Sequence, residues 1–404
     1  MSFMKRLFIL VVMASLGLAD TFAQNGTGFT GNGYYRIRNF ASERYIYVTD
    51  NKDYYDMSHD REDFQAIQLW RDINRAVISP ASVIYMEEVG SNTYDLKAQG
   101  TGVHALTGYY VNARKMPNGV YEVSATKSGA TKYLADKKPT TNEQGEMGTY
   151  ADGESLNYRR WVVDRITTDH ASNYVGIKPT IQVGDMYYQP YYASFPFKAV
   201  SPDMNIYCVN EIVGNYAKLK KIEGEVPAGT PVLIECTSND PSQNRLQLLT
   251  STSAKVTGNL LSGTYFCNAT RPAESTDAYT KLDATTMRIF DIVDGNLVLT
   301  NNPQQDRLGM RTERTFDPNT WKWSDTTIYD GILANTSYLK TSAETAEELI
   351  VVLPGMGIND VKSDRSPLAT GVYSISGTRL RQTNELEGLP AGLYIVGGKK
   401  VVVK

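Results

Sequence analysis

Cysteine is scarce in this chain, with three residues in 404, and histidine is no commoner. An odd, small cysteine count cannot build a disulfide framework, and no Cys-x-x-Cys or paired Cys/His spacing offers a metal site. Long apolar stripes of period 3.6 are missing, which excludes a helical bundle. Beyond one run at the start, no apolar stretch is long enough to span a bilayer. The net charge of −3 lacks the basic excess of a nucleic-acid-binding surface. No Gly-x-Ser-x-Gly elbow and no His-Glu-x-x-His helix occurs, so the common hydrolase signatures are absent.

What is present begins with "MSFMKRLFILVVMASLGLADTFAQ". Lys5 and Arg6 precede an apolar run from Leu7 to Leu18, and small residues follow, the layout of a secretory signal. Cleavage is expected after Ala23, leaving Gln24 at the new terminus, with no membrane span once residues 1–23 are gone. The mature chain is expected to be exported. The remaining residues are too many for one compact core, so several domains are expected. Tyrosine is abundant at 27 residues and threonine is plentiful, which points to an all-β chain.

Few residues offer chemistry. His59 stands beside Asp60 and His170 beside Asp169, but neighbours on a strand point to opposite faces and make no dyad. Cys208 and Cys236 fall in phase with Ile206 and Ile234 on strand-like segments. Two readings stay open for them: small buried hydrophobes, or one disulfide with Cys267 or the other left as a spare thiol. "GTGFTG", Gly26 to Gly31, satisfies Gly-x-Gly-x-x-Gly but follows no strand and opens no helix, so it is read as part of a flexible leader over 24–32. No catalytic residue, cofactor or metal is expected. Carboxylate pairs for glycoside hydrolysis depend on the fold and stay open.

Residues 33–168 form the first expected domain. "YYRIRNFASERYIYVTD" reads as two Tyr-rich strands around a polar turn. Trp70 in "QLWRDI" and Trp161 in "RWVVDRI" enter similar endings, and Tyr109–Tyr110 lies near their midpoint, which suggests three units of about 45 residues. The Gln68-Leu69-Trp70 triplet resembles the Gln-x-Trp mark of ricin-type β-trefoil lectins; Trp161 follows "YRR" instead, and the middle unit has no tryptophan. The resemblance implies a β-trefoil-like fold with Trp70 and Trp161 as core plugs. It also implies sugar-pocket candidates at Asp50, Tyr54 and Tyr55.

Residues 173–353 carry many short strands with turn signals between them, the pattern of a β-sandwich. "YYASFPFKAV" followed by "VPAGTPVLIEC" resembles a β-sandwich module of secreted Bacteroidales proteins, a module that brings no catalytic residues. "FDPNTWKWSDTT" is the best local binding signal. Trp321 and Trp323 alternate around Lys322, so on a strand they share one face. Two placements follow, a face packed into the sandwich, which is favoured, or an exposed platform that stacks on sugar rings.

A polar linker over 354–370 leads to residues 371–404. From Gly357 to Lys404 there are seven basic and four acidic residues. Val372, Tyr373 and Gly377 are followed by Leu389, Gly392, Tyr394 and Val396, then by Lys399, Lys400 and Lys404. That order resembles the small C-terminal β-sandwich-like sorting domain of the type IX secretion system, which implies the export machinery as a partner and the outer-membrane surface or the extracellular space as the destination. Together the three regions resemble a family of secreted Bacteroidales proteins, most like those of Prevotella. The function this implies is an exported, non-catalytic binding protein, with a carbohydrate or glycoprotein as its ligand. A structural or adhesin-like surface protein with protein partners and a secreted hydrolase with an unrecognised site are the alternatives.

Overall fold

The computed structural model describes residues 26–49, 66–98, 104–105, 112–127, 129–136, 144–145, 147–150, 157–265, 280–355, 372–374, 379–381, 383, 385–396 and 399–403. These residues are almost all β, as the composition leads one to expect. Asp50, Tyr54, Tyr55, His59, Ala23, Gln24, Cys267, Gly377 and Lys404 lie outside them.

The first sheet system holds β1 (Gly33–Asn39), β2 (Tyr45–Thr49), β3 (Ala66–Trp70), β4 (Ile84–Gly90), β5 (Thr93–Ala98) and β6 (His104–Ala105). It continues with β7 (Asn112–Lys115), β8 (Tyr121–Lys127), β9 (Ala130–Asp136), β10 (Gln144–Gly145), β11 (Met147–Tyr150) and β12 (Arg160–Arg165). One short helix, α1 (Ile73–Ile78), is capped by the Asp72 carboxylate. The pairings β1–β4, β4–β5, β5–β7, β7–β8, β8–β12 and β12–β1 are all antiparallel and close a ring of six strands. Closure leaves the ring without a free edge. Hairpins β2–β3 and β9–β11 hang from it. The fully buried Arg44 and Asp136 form an ion pair that ties one hairpin to the other.

Tyr35, Ile37, Leu96, Tyr121, Val123 and Trp161 fill the ring. The Trp161 indole N–H donates to the Leu134 carbonyl at 3.1 Å, which satisfies the one polar atom of this buried plug. The expected flexible leader is corrected over residues 26–32, which are strapped along the ring. Gly28 N–H donates to the Val163 carbonyl, Thr27 N–H to the Asp164 carboxylate and Phe29 N–H to the Tyr121 hydroxyl. The Phe29 ring then packs 4.3 Å from Tyr94, centroid to centroid. Gly26 has φ +66°, and a Cβ there would meet Val162 at 2.6 Å, so the glycines serve a close backbone approach.

The second system holds β13 (Val175–Gly176), β14 (Ile181–Val183), β15 (Met186–Tyr191), β16 (Phe197–Ala199), β17 (Asn205–Val213), β18 (Tyr216–Lys221), β19 (Val232–Cys236) and β20 (Arg245–Leu248). It goes on with β21 (Leu261–Thr264), β22 (Met287–Val293), β23 (Asn296–Thr300), β24 (Leu308–Asp317), β25 (Lys322–Ile332), β26 (Thr336–Lys340) and β27 (Glu348–Val352). Ten of these strands form one sheet in the order β14-β15-β19-β17-β18-β27-β23-β22-β26-β21. Leu219 and Leu233 from one half of it share a core with Phe290, Leu299 and Leu339 from the other. Ser337 Oγ donates to the Val232 carbonyl, and Tyr192 N–H to that of Asn335, so the sheet curls until its halves meet.

A further core joins the first system to the second, with Tyr34, Val83 and Tyr85 packed against Phe195, Phe197 and Met204. Behind it Arg36 is fully buried and donates to Ser82 Oγ, Asn173 Oδ1 and the Ala76 carbonyl. The last four strands, β28 (Val372–Ser374), β29 (Arg379–Arg381), β30 (Gly392–Val396) and β31 (Lys399–Val403), make a separate sheet in the order β29-β28-β30-β31.

Candidate functional site

Strands β24 and β25 leave the curled sheet as a two-stranded ribbon, paired only with each other among the named strands. Its base is held where Ile332 joins Met287, Ile289 and Tyr338 in a small core and donates its N–H to the Thr280 carbonyl. The ladder then runs outward to a last rung between Asp317 and Lys322. Local chemistry closes the end. Pro318 favours a turn, and the Asp317 carboxylate accepts the Asn319 N–H and the Thr320 hydroxyl, each at 2.8 Å. The Thr320 hydroxyl, then the Asn319 amide, hold that carboxyl below its ordinary pKa.

Three rings gather at this end. Phe316 and Trp323 oppose each other on the ladder with centroids 5.0 Å apart, and Trp321 meets Phe316 edge-on at 5.9 Å. Relative exposures are 40% for Phe316, 81% for Trp321 and 60% for Trp323. The favoured inward placement of the two tryptophans is therefore corrected: the ribbon carries them out to solvent, and among the described residues they join none of the apolar cores. The reason for their proximity is corrected too. Trp321 sits in the turn with φ +54°, not on the strand, so Phe316 brings the indoles together rather than strand alternation. Together the rings leave roughly 400 Å² of aromatic surface open, the size of the largest apolar patch on an ordinary monomer. Phe316 was missed in the sequence. Reading Pro-Asn-Thr-Trp as a four-residue hairpin loop would have placed it opposite Trp323.

The other candidates separate. Trp161 is the expected core plug. Trp70 is not in the ring core: it is half-buried outside it, with the Arg75 guanidinium 3.6 Å from its ring centroid, because α1 brings that arginine over it. His170 accepts the N–H groups of Ser172 and Asn173 at Nδ1, the role of a loop cap. Cys208 and Cys236 are buried free thiols; burial raises both, Cys236 to about 12. That leaves neither with thiolate character at neutral pH. Among the described residues no cluster of three His, Cys, Asp or Glu side chains can hold a metal.

In the last sheet Val372 and Tyr394 are buried, Val372 pairs with Val396, and Tyr373 pairs with Ile395. Leu389 lies half-buried in the turn before Gly392 opens β30, and Lys399 and Lys400 lie on β31, the sheet's edge strand. No helix among the described residues is long and apolar enough to cross a membrane. No protein-family model matches the chain, and no curated protein matches it.

Proposed function

We propose that this chain is an exported binding protein of the outer-membrane surface or extracellular space, without catalysis of its own, that takes carbohydrate or glycoprotein ligands at the end of the β24–β25 ribbon. The observation that carries this reading is the exposed cluster of Phe316, Trp321 and Trp323. An aromatic face pairs with the apolar C–H face of a sugar ring, while polar groups beside it take the hydroxyls. Asp317, Asn319 and Thr320 stand next to the rings. At roughly 400 Å² the cluster falls short of the ~800 Å² per partner of a stable protein interface, which weighs against the adhesin-like alternative.

The six-strand ring with its hanging hairpins supports a β-trefoil-like first domain, and the curled sheet supports a β-sandwich-like second one. The separate basic sheet at the end supports a sorting role in type IX export. Titration of the mature protein with neutral glycans, followed by tryptophan fluorescence, tests the binding reading. Quenching or a blue shift is expected, and it is lost in Trp321→Ala and Trp323→Ala. Absence of any response across a glycan array, with capture of a protein ligand instead, would move the chain to the adhesin-like class.

A further inference from the structure

The aromatic cluster is only the outer end of a longer surface. Strand alternation places Tyr329, Thr327, Asp325 and Trp323 on one face of the ribbon. Across the ladder Met310 opposes Tyr329, and Phe316 opposes Trp323. Met310 and Tyr329 are 63% and 39% exposed. Tyr329 lies six residue steps along the strand from Trp323, or about 20 Å. One face thus offers an apolar contact near the base, polar Thr327 and Asp325 between, and the indole cluster at the tip.

Resting on the binding reading above, we propose that this face is a track for the interior of a single neutral glycan chain, with one contact at Met310–Tyr329 and another at Phe316–Trp321–Trp323. A mono- or disaccharide is too short to reach both contacts, whereas a polymer chain bridges them, and the second contact then forms within the first complex. The surface is an open ribbon, so the ligand needs no chain end. The rings are also unsuited to a flat crystal face: Trp321 stands at 86° to Phe316 and Trp323 at 47°. Two-stranded ribbons twist strongly, which turns the base contact away from the plane of the tip. Both features select a twisted, soluble chain. Across the ladder Arg314 opposes Asp325 and Thr312 opposes Thr327, so the middle of the track is polar without net charge, which suits a neutral chain.

The test measures affinity by calorimetry for cello-, xylo-, malto- and laminari-oligosaccharides from the disaccharide upward, their soluble polymers, and microcrystalline cellulose. For the glycan that binds, affinity should climb with length and level off once the chain spans the ribbon face. Tyr329→Ala and Met310→Ala should each lower affinity for the polymer by about tenfold and leave the disaccharide unchanged. Trp321→Ala should weaken every length. Disaccharide and polymer bound alike, or Tyr329→Ala and Met310→Ala both without effect on the polymer, would overturn the track while leaving tip binding intact. Retention on microcrystalline cellulose without affinity for soluble chains overturns it as well. If no glycan binds at all, or if vesicles of anionic lipid alone bind, the binding reading falls and the track falls with it.

Discussion

Phe316 and Trp323 face each other across the last aromatic rung of the β24–β25 ribbon, and the next ring, Trp321, sits in a left-handed turn position at φ +54°. A tryptophan there is costly, because that conformation favours glycine and costs other residues of order 1 kcal/mol. Folding alone would put glycine at 321. Trp321→Gly is therefore expected to leave thermal stability unchanged or raise it by up to ~1 kcal/mol, while glycan affinity falls at least tenfold. Unfolding curves and titrations on the same preparations check both halves. A variant that loses stability and keeps its affinity would show the indole to be a structural prop.

The turn also carries a pH signature. The Thr320 hydroxyl and the Asn319 amide stabilise ionised Asp317 and hold its carboxyl below the ordinary value. For a carboxylate depressed in the folded state, the contribution is complete above the unfolded pKa and is lost as pH falls through the folded one. The tip should then keep its geometry down to about pH 4 and loosen only below it. The indole N–H resonances of Trp321 and Trp323, assigned with alanine variants, should move together in that range. Asp317→Asn should flatten the step; an unchanged step would assign it to another group.

Much of this was legible in the residues and some was not, for physical reasons. Tyrosine-rich alternation marked β1 and β2, and "NFASER" marked their turn, where the Asn39 side chain accepts the N–H groups of Ala41 and Ser42. Trp161 was readable as a plug because a large apolar ring that opens a strand, here with Val162 and Val163 behind it, belongs to a core before it serves as a ligand platform. The same logic failed for Trp70, whose surroundings are set by α1, a helix too short to leave a periodicity. It failed again for the Trp321–Trp323 pair, since one residue of turn length decides whether alternation applies. The Phe29 strap is a long-range contact between the leader and the ring, and no local pattern encodes it.

The junction between the first two sheet systems contains an unbalanced polar group. The Tyr191 hydroxyl is fully buried and has no hydrogen-bond partner, in the neighbourhood of the Arg36 guanidinium. Burial pushes Arg36 down to about 10, still protonated at neutral pH, and Asn173 Oδ1 holds it at 2.7 Å. An unmade buried hydrogen bond costs roughly 1–3 kcal/mol, whereas breaking one to a buried charge costs as much or more. Tyr191→Phe should raise stability by about 1 kcal/mol, and Asn173→Ala should lower it by about 3 kcal/mol, as midpoints of urea unfolding at constant slope. A loss in Tyr191→Phe would mean that the hydroxyl shares a buried water with Arg36.

The thiols give a simpler check on the curled sheet. Burial raises Cys208, and raises Cys236 to about 12, so neither forms a thiolate in the native protein at mildly alkaline pH. Thiol-specific labelling of the native protein, mapped by peptide mass, should leave both unmodified, and denaturant should expose both together. Rapid native labelling of Cys236 would contradict the packing of β19 against β15 and β17.

The sorting role proposed for the final sheet has a direct test. Among the described strands β28–β31 pair only with one another, and β31 is an edge strand carrying Lys399, Lys400 and an exposed Val402. Bare edges invite wrong pairing and are normally short, covered or charged, so lysines on β31 are themselves a guard against stray pairing. Because no named strand of the first two systems pairs with this sheet, deletion of residues 371–404 should leave their folding intact. The truncated protein should unfold at the same temperature as the full chain yet accumulate in the periplasm, with surface delivery reduced by an order of magnitude or more. Cell fractionation with protease shaving measures delivery, and circular dichroism of the recovered protein shows whether it is folded. Normal delivery of the truncated chain would refute the sorting role. A periplasmic but unfolded product would show instead that the sheet stabilises the protein, and replacing Lys399 and Lys400 with glutamate in the full chain would then separate charge recognition from stability.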